Sequence, residues 1–582
     1  MTIDLRKEAL ADEVVRDYLT LSSGRFTWES QWEEVANLVW PDYRSTIRSN
    51  AVWTPGIKKT ELQFDVTAAR ALSKFGAILD SLLTPKNSIW HSLVPQDESL
   101  KKNRDLMLWL EQVNKTIFKY RYAPRANFAG QNVLTYMGLG AFGTGTLFID
   151  PLDHPRERGL RYKHVPIGEV YYAENHQGQV DKVVRAYWLT GRQAMQKFKP
   201  DASLPQDFID RISASNAAME ANYKFLHCVR PNADRNPKLL GPGSMMYQSI
   251  HVLYQPTART VLREGGFDTF PFIVSRYLQA PGEVYGRGPA MEVLAAIKTL
   301  NQEKKTLLEQ GHRAVAPALL TTDDGILDDI SLKPGAVNRG GMSAEGRALV
   351  GTVPVGNVQV GKELMDDERD AINDAFLVSL FQILTETPEM TATEVIERTR
   401  EKGILLAPTV GRQENEKLGP QIEREIEVLS RQGLLPPPPG GVNIKAMGGL
   451  EYEIQYDSPL SRAMRAEEVA GVMRSIESTL TIVNATQDPE PLDNFNFDVI
   501  VPEVSQIQGV PLRWMNGPDI IAQKRQARAQ QAARQQQAAE APGQAALMKA
   551  SSVAQESAIR TGQMTPAQMK ALGAQQGGGQ QQ

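Results

Sequence analysis

The sequence predicts an α+β chain, mostly helical, that forms two or three substructures or one elongated subunit whose layers pack against neighbours. Three observations carry this. Long segments repeat apolar residues at helical spacing, and a middle region between about residues 144 and 276 alternates strand-like runs with turns. The chain also has 582 residues, well beyond the roughly 250–300 at which one hydrophobic core stops growing. Hydrophobic residues make up 41% and charged residues 23%, the balance of a folded soluble protein.

The elements follow in order. Residues 5–40 read as helices, with Trp28, Trp32, Val35 and Val39 at helical spacing and Pro41 after the last turn. Residues 66–83 carry the stripe Val66, Ala69, Leu72, Phe75, Leu79 and Leu82, closed by Thr84-Pro85. Helices are predicted over 101–119 and 126–139, then strands from about 144, over 161–189, and over 222–230, 248–255 and 270–276. The chain is helical again from Gly288 to about Arg313, Gly- and Val-rich over 318–364, and helical over 366–383. A long charged helix runs to about Arg431, with Thr391 and Glu394 at capping-box spacing. Gly403, Pro408, Gly411 and Pro420 interrupt it, which predicts kinks. Pro436-Pro437-Pro438-Pro439 is a rigid break, residues 460–482 form a further helix, and 483–518 are looser. From about 521 the chain is Gln/Ala-rich, a partly helical, partly disordered tail.

Composition excludes several classes. A net charge of −4 is not that of a polybasic nucleic-acid binder. The single cysteine, Cys228, allows no intrachain disulfide and no Cys-based zinc site. The charged N-terminus lacks the apolar region of a signal peptide, and no stretch reaches the roughly 18 apolar residues of a membrane span. Gly138-Leu139-Gly140-Ala141-Phe142-Gly143 matches G-x-G-x-x-G, but a helix precedes it and a strand follows, the reverse of a dinucleotide site. It reads instead as a closely packed helix-to-strand turn. Gly356-Asn357-Val358-Gln359-Val360-Gly361-Lys362 matches most of a P-loop, yet Glu363 stands where a Ser or Thr should bind magnesium. The histidines form no H-E-x-x-H pair, and His227 and Cys228, adjacent in a strand, point to opposite faces. No G-x-S-x-G elbow occurs. The sequence therefore predicts no catalytic, cofactor or metal site, and a protein that is not an enzyme.

Charged helices remain. Lys298, Lys304, Lys305 and Arg313 lie on the helix after Gly288; Arg398, Arg400 and Lys402 lie on the long one, beside Glu394, Glu397 and Glu401. A solvated face with i,i+4 ion pairs such as Glu394–Arg398 explains any one of them. The sharper reading is a channel lining of mixed sign.

Three blocks give that reading its frame. Tyr285-Gly286-Arg287-Gly288-Pro289-Ala290, leading into Ile297-Lys298-Thr299-Leu300-Asn301, resembles the portal proteins, or head-to-tail connectors, of short-tailed phages. So do Met390-Thr391-Ala392-Thr393-Glu394-Val395, leading into Gly411-Arg412, and the stretch from Asp65-Val66-Thr67 through Leu82-Leu83-Thr84-Pro85 to Trp90. The resemblance is co-linear over roughly residues 10–515. It implies a cyclic ring of twelve copies around a DNA channel. Residues 1–285 and 432–460 would be the wing, 286–316 and 366–384 the two stem helices, and 317–365 the clip. Residues 385–392 would be the tunnel loop, 393–431 the long kinked helix, 461–520 the crown, and 521–582 a tail that is a helical barrel or disordered.

The resemblance further implies tunnel-loop residues Thr385, Glu386, Thr387, Pro388 and Thr391 near DNA, and clip contacts at Asp323, Asp324, Lys333 and Arg339. Implied partners are double-stranded DNA in transit, the terminase large subunit, tail adaptor or head-completion proteins, and the major capsid and scaffolding proteins. No membrane is involved. The expected place is the portal vertex of the virion, after assembly in the host cytoplasm. Two rivals stand beside this reading: a nucleotide-dependent motor subunit resting on 356–362, and a non-channel virion scaffold resting on the Gln/Ala-rich tail.

Overall fold

The structure is a computed structural model. It describes residues 2–48, 56–101, 103–154, 156–198, 204–255, 259–315, 319–321, 337, 342–343, 345–352, 358–379, 408–439, 452–456, 459–488, 490–507, 510 and 512–561. Its main helices are α1 (Thr2–Ser23), α2 (Phe26–Leu38), α3 (Thr67–Leu83), α4 (Arg104–Arg121), α5 (Phe128–Phe142), α6 (Gly191–Phe198) and α7 (Gln206–Ser213). They continue with α8 (Leu294–Val315), α9 (Val358–Ala375), α10 (Gly419–Arg431), α11 (Pro459–Thr486), α12 (Phe497–Ile507) and α13 (Pro518–Arg560). The chain divides into two compact units, residues 1–496 and 497–582.

The first unit is built on two antiparallel sheets. Strands β4 (Val170–Glu174), β5 (Val180–Thr190), β6 (Asn222–Pro231), β7 (Tyr247–Tyr254) and β8 (Arg259–Phe267) form a five-stranded meander in sequence order. Strand β2 (Thr144–Pro151) pairs with β3 (Leu160–His164) on one side and β9 (Phe272–Arg276) on the other. Period-two alternation gives the meander two apolar faces. Val184, Leu226, Cys228, Ile250 and Val252 take Ala11, Val14, Val15 and Tyr18 of α1. On the opposite face Tyr187, Phe225 and Leu253 take Ala194 and Phe198 of α6 and Phe208 and Ile212 of α7. His227 and Cys228 do point to opposite faces.

The third and largest apolar cluster holds α2, α3, α4, α5 and the β2 sheet together. In α3 the buried stripe is Ala68, Leu72, Phe75, Leu79 and Leu83. Three residues of the predicted stripe sit off it: Val66 is exposed, and Ala69 and Leu82 are only half-buried. Tertiary packing against α5 sets the rotation of the helix, and spacing alone does not. Strand β1 (His91–Pro95) pairs with β12 (Tyr452–Tyr456), which brings residues more than 350 apart into register.

From α8 the chain leaves this core. Helix α8 is followed by β10 (Leu319–Thr321), which pairs antiparallel with β11 (Val350–Thr352), and α9 returns along α8. The segment read against a P-loop is helical from Val358 onward, so its backbone cannot curl around a phosphate. The last helix of the core runs from Pro408 to Arg431 and contains a π-helical turn, Glu414–Leu418, just ahead of Pro420. Proline lacks the N–H for a bond to residue i−4 and crowds that carbonyl; the wider π turn accommodates the loss.

The second unit holds α12, with Pro502 inside it, and the 43-residue α13. Arg525 pairs with Asp498, Nη1 to Oδ2 at 2.9 Å. The described side chains of α13 are almost all exposed.

Candidate functional site

The hairpin of α8 and α9 is rooted in a crossing of two backbones. Gly143 ends α5 in the left-handed conformation, φ +70°, which only glycine adopts without strain. A Cβ on Gly143 would lie 2.2 Å from the Gly286 carbonyl oxygen, and a Cβ on Gly286 would lie 2.2 Å from the Gly143 carbonyl oxygen. Neither position has room for a side chain. The Gly143 carbonyl accepts from the Tyr277 amide at 2.9 Å, and the Gly286 amide donates to Thr144 Oγ1 at 2.9 Å. This explains the second halves of two sequence motifs at once. The G-x-G-x-x-G segment and Tyr285-Gly286-Arg287-Gly288 are the two sides of one crossing.

Side chains lock the crossing in place. Tyr285 is buried against Trp32, edge to face at 5.0 Å between ring centroids. Arg287 stands over Trp28 and pairs with Glu283 at 2.6 Å. Gly288 then caps the short helix that leads into α8, with Pro289 at its first position. Further along, Asn301 accepts from the amides of Phe64 and Asp65 at 2.7 and 3.2 Å and donates to the Leu62 carbonyl. Arg369 of α9 reaches the same Asp65 at 3.1 Å. Burial would raise the Asp65 carboxyl, but hydrogen bonds from Thr67 and Arg369 outweigh it and hold the group below its ordinary value.

The helix around residues 408–431 is seated differently. Its inner face carries Gln413, Lys417, Gln421 and Glu425, each four residues on and each fully buried. The Arg121 guanidinium donates to Glu425, Nε to Oε1 at 3.1 Å, and the Tyr162 hydroxyl donates to the same carboxylate at 2.7 Å. Desolvation pushes Arg121 down; the Glu425 charge outweighs it and leaves the guanidinium above its ordinary value. Lys417 donates to Asn132 Oδ1 at 2.5 Å and lies 3.4 Å from the centroid of the Tyr136 ring. Burial drives its ammonium well below the usual lysine range. Arg276 of β9 bridges Glu416 at 3.0 Å and Glu174 of β4.

The structure describes only part of the residues read as functional. Lys298, Lys304, Lys305 and Arg313 all lie on α8. Lys298 pairs with Glu34 of α2 at 2.5 Å, and Lys305 stands over the Phe64 ring at 5.6 Å. The other residues read as functional lie outside the described residues: Thr385, Glu386, Thr387, Pro388 and Thr391; Arg398, Arg400 and Lys402; and Asp323, Asp324, Lys333 and Arg339. Sequence reasoning missed the buried polar stripe. Its signal was present, as Gln413, Lys417, Gln421 and Glu425 recur at i,i+4, but a polar stripe at that spacing is ordinarily the solvated face. Among the described residues no three His, Cys, Asp or Glu side chains converge as metal ligands, and no helix is long and apolar enough to cross a membrane.

Comparison with known proteins places this architecture. The chain is 25% identical over 569 residues to the portal protein of Salmonella phage epsilon15, covering 94% of this chain and 96% of that one. It is 27% identical over 528 residues to the probable portal protein of Bordetella phage BPP-1, covering 89% and 91%. A chain from the virion of a native gene transfer agent particle matches 71% of this chain and 85% of its own length at 10% identity, with a TM-score of 0.33. The family model of the bacteriophage head to tail connecting protein matches residues 11–515, and with that coverage the chain belongs to the bacteriophage head-to-tail connector family.

Proposed function

We propose that this phage portal works as a closed ring of twelve copies at one capsid vertex, a passive conduit through which double-stranded DNA enters and leaves. The observation that carries the reading is the α8–α9 hairpin. It springs from a rigid crossing, ends in a small antiparallel strand pair, and leaves Leu308, Val315, Leu320 and Leu364 exposed on the single subunit. Exposed apolar side chains along one projecting element mark a surface that another copy covers. A cyclic ring needs such a surface on each side of every subunit.

In this reading residues 286–316 and 366–384 are the stem, 317–365 the clip, 385–392 the tunnel loop and 393–431 the helix behind it. The clip, with Asp323, Asp324, Lys333 and Arg339, meets the terminase during packaging and the tail adaptor afterwards. Arg398, Arg400 and Lys402 join the α8 cations in a lining of mixed sign, which holds phosphates weakly enough for DNA to slide. ATP hydrolysis belongs to the terminase, and assembly with capsid and scaffolding proteins takes place in the host cytoplasm before the portal is sealed into the virion.

Negative-stain microscopy and native mass spectrometry of the purified protein test this. Closed rings with a central hole and a mass of twelve chains are expected. A monomer or an open filament at high concentration overturns the ring, and ATP hydrolysis lost in Lys362→Ala overturns the passive conduit.

A further inference from the structure

Helix α1 lies on the five-stranded sheet as an element apart. It packs across β4 to β8, and its buried side chains belong to an apolar cluster distinct from the main core. The seat is narrow. Ala11, Val14, Val15 and Tyr18 are buried, while residues 5–9 are exposed. Three of those four side chains are small, so each removes little apolar area from water. Beneath them lie Val184, Leu226, Cys228, Ile250 and Val252.

Ion pairs rim this seat. Asp12 reaches Arg259 of β8 at 2.8 Å, Glu13 holds Arg230 of β6 at 2.6 and 2.9 Å, and Asp17 reaches Lys182 of β5 at 2.6 Å. Arg6 reaches Glu264 of β8 at 3.4 Å, with the sign reversed. The Lys224 ammonium of β6 donates to the Tyr18 hydroxyl at 2.9 Å. The side chains of the four ion pairs are between 17% and 76% exposed. Each pair is therefore weak and open to screening by salt.

The end of the helix is tied to a fixed point. Gly24 follows Ser23, and Arg25 comes next, fully buried. Its guanidinium donates to the carbonyls of Ile167 and Val170 at 2.9 and 2.6 Å and to Glu29 at 2.7 Å. Glycine between a helix and an anchor is a natural pivot. The sheet has independent support, since its opposite apolar face packs on α6 and α7. Cys228, the one cysteine of the chain, stands on the face that α1 covers. Burial pushes its thiol up to about 12, so it is inert while α1 is seated.

We infer that α1 is a salt-sensitive strap, which opens from the sheet as one unit about Gly24 while Arg25 stays anchored and the sheet stays folded. Sodium chloride screens the rim of ion pairs and leaves the apolar seat nearly unchanged, so it favours the open form. Opening presents an apolar sheet face and an amphipathic helix together. The strap belongs to the sheet and not to the α8–α9 hairpin, so it does not depend on the conduit reading.

The native thiol reads the opening. The full-length protein is labelled with a maleimide in about 0.1 M and about 1 M sodium chloride, between which the Debye length falls from about 10 to about 3 Å. Labelling of Cys228 is expected to outpace global unfolding and to rise about tenfold with salt. Asp12→Asn with Glu13→Gln, both part-exposed positions, speeds labelling about tenfold in low salt and flattens the salt dependence, with an unchanged circular dichroism spectrum. Hydrogen exchange under the same conditions shows the α1 amides opening with the label while the β6 amides stay protected. Labelling no faster than global unfolding, labelling indifferent to salt, or α1 amides that stay protected while Cys228 reacts, overturns the strap.

Discussion

The helix around residues 408–431 and the hairpin helix α8 are both charged and amphipathic, yet the fold treats them in opposite ways. The first buries its polar stripe, with Lys417, Gln421 and Glu425 fully inside the subunit. In the second only Leu294, Ile297 and Leu300 are buried, all near its start. Beyond them it shows Leu308 and Val315 to solvent. One helix has its buried charges, Lys417 and Glu425, answered by its own subunit. The other carries apolar side chains that its own subunit does not cover. The difference separates what holds the subunit together from what remains for assembly.

The strongest way to break the comparison is at Glu425. Glu425→Gln leaves the Arg121 guanidinium buried without its counter-charge, at a cost of about 3–5 kcal/mol. A large drop in the unfolding midpoint is expected by calorimetry. The pair is not irreplaceable: Arg121→Met with Glu425→Leu should recover most of the loss, since apolar residues of similar volume avoid the desolvation cost. A double variant as unstable as the single one would mean that the network positions the helix in a way packing cannot.

The next effect lies at the hinge between the two regions. Gly143→Ala sets a methyl group 2.2 Å from the Gly286 carbonyl at a positive φ. Overpacking and left-handed strain together cost about 2–4 kcal/mol. Because the crossing roots the hairpin, the same variant should also reduce ring formation in negative stain. Loss of stability with normal rings would show that the crossing serves the core alone.

Acid sharpens the contrast on the buried side. His164 lies between Tyr43 and Thr135, at 2.9 and 3.2 Å, and burial pushes it down to about 3. The folded protein therefore keeps His164 neutral, while the unfolded chain takes up a proton below about 6.5. Its contribution is fully present above that value and is lost as the pH falls, at about 1.4 kcal/mol per unit down to about 3. His164→Gln should flatten the acid limb of a denaturant-unfolding series between about pH 6 and 5.

These regions were unequally legible in the sequence. The helix, β-insert and helix of the hairpin could be read because each segment is local: Pro289 starts it, and the apolar spacing of Leu294, Ile297 and Leu300 continues it. The crossing was half legible. The run from Gly138 to Gly143 could be recognised as a close-packing signal, but nothing local pairs Gly143 with Gly286. The polar seat was illegible in kind, because the groups that receive Lys417, Asn132 and Tyr136, lie nearly three hundred residues away in sequence. Strand β8 escaped for a smaller reason: its Arg263-Glu264-Gly265-Gly266 run has neither the alternation nor the propensity of a strand.

On the exposed side the expected effects on folding are small and those on assembly larger. Leu308→Gln and Leu364→Gln remove side chains that are 46% and 52% exposed in the single subunit. They should move its unfolding free energy by no more than about 0.5 kcal/mol, while lowering the fraction of rings at a given concentration by native mass spectrometry. Rings unaffected by both changes would place the subunit contact elsewhere on the chain.

The finest distinction is among the α8 cations themselves. Lys298 is already engaged by Glu34, and both side chains are about half exposed. Such a pair contributes about 0–1 kcal/mol, and salt screens it. Arg313 is exposed and has no ion-pair partner among the described residues. If the outer part of α8 lines a channel, Arg313 displaces counterions from DNA there, and each phosphate contact adds about 0.9 to the slope of log affinity against log salt. Arg313→Ala should therefore flatten the salt dependence of duplex binding by the purified ring, and Lys298→Ala should change it much less. Equal effects would mean that the Glu34 pair opens when DNA is present, and no effect from either would move the lining to the opposite face of the helix.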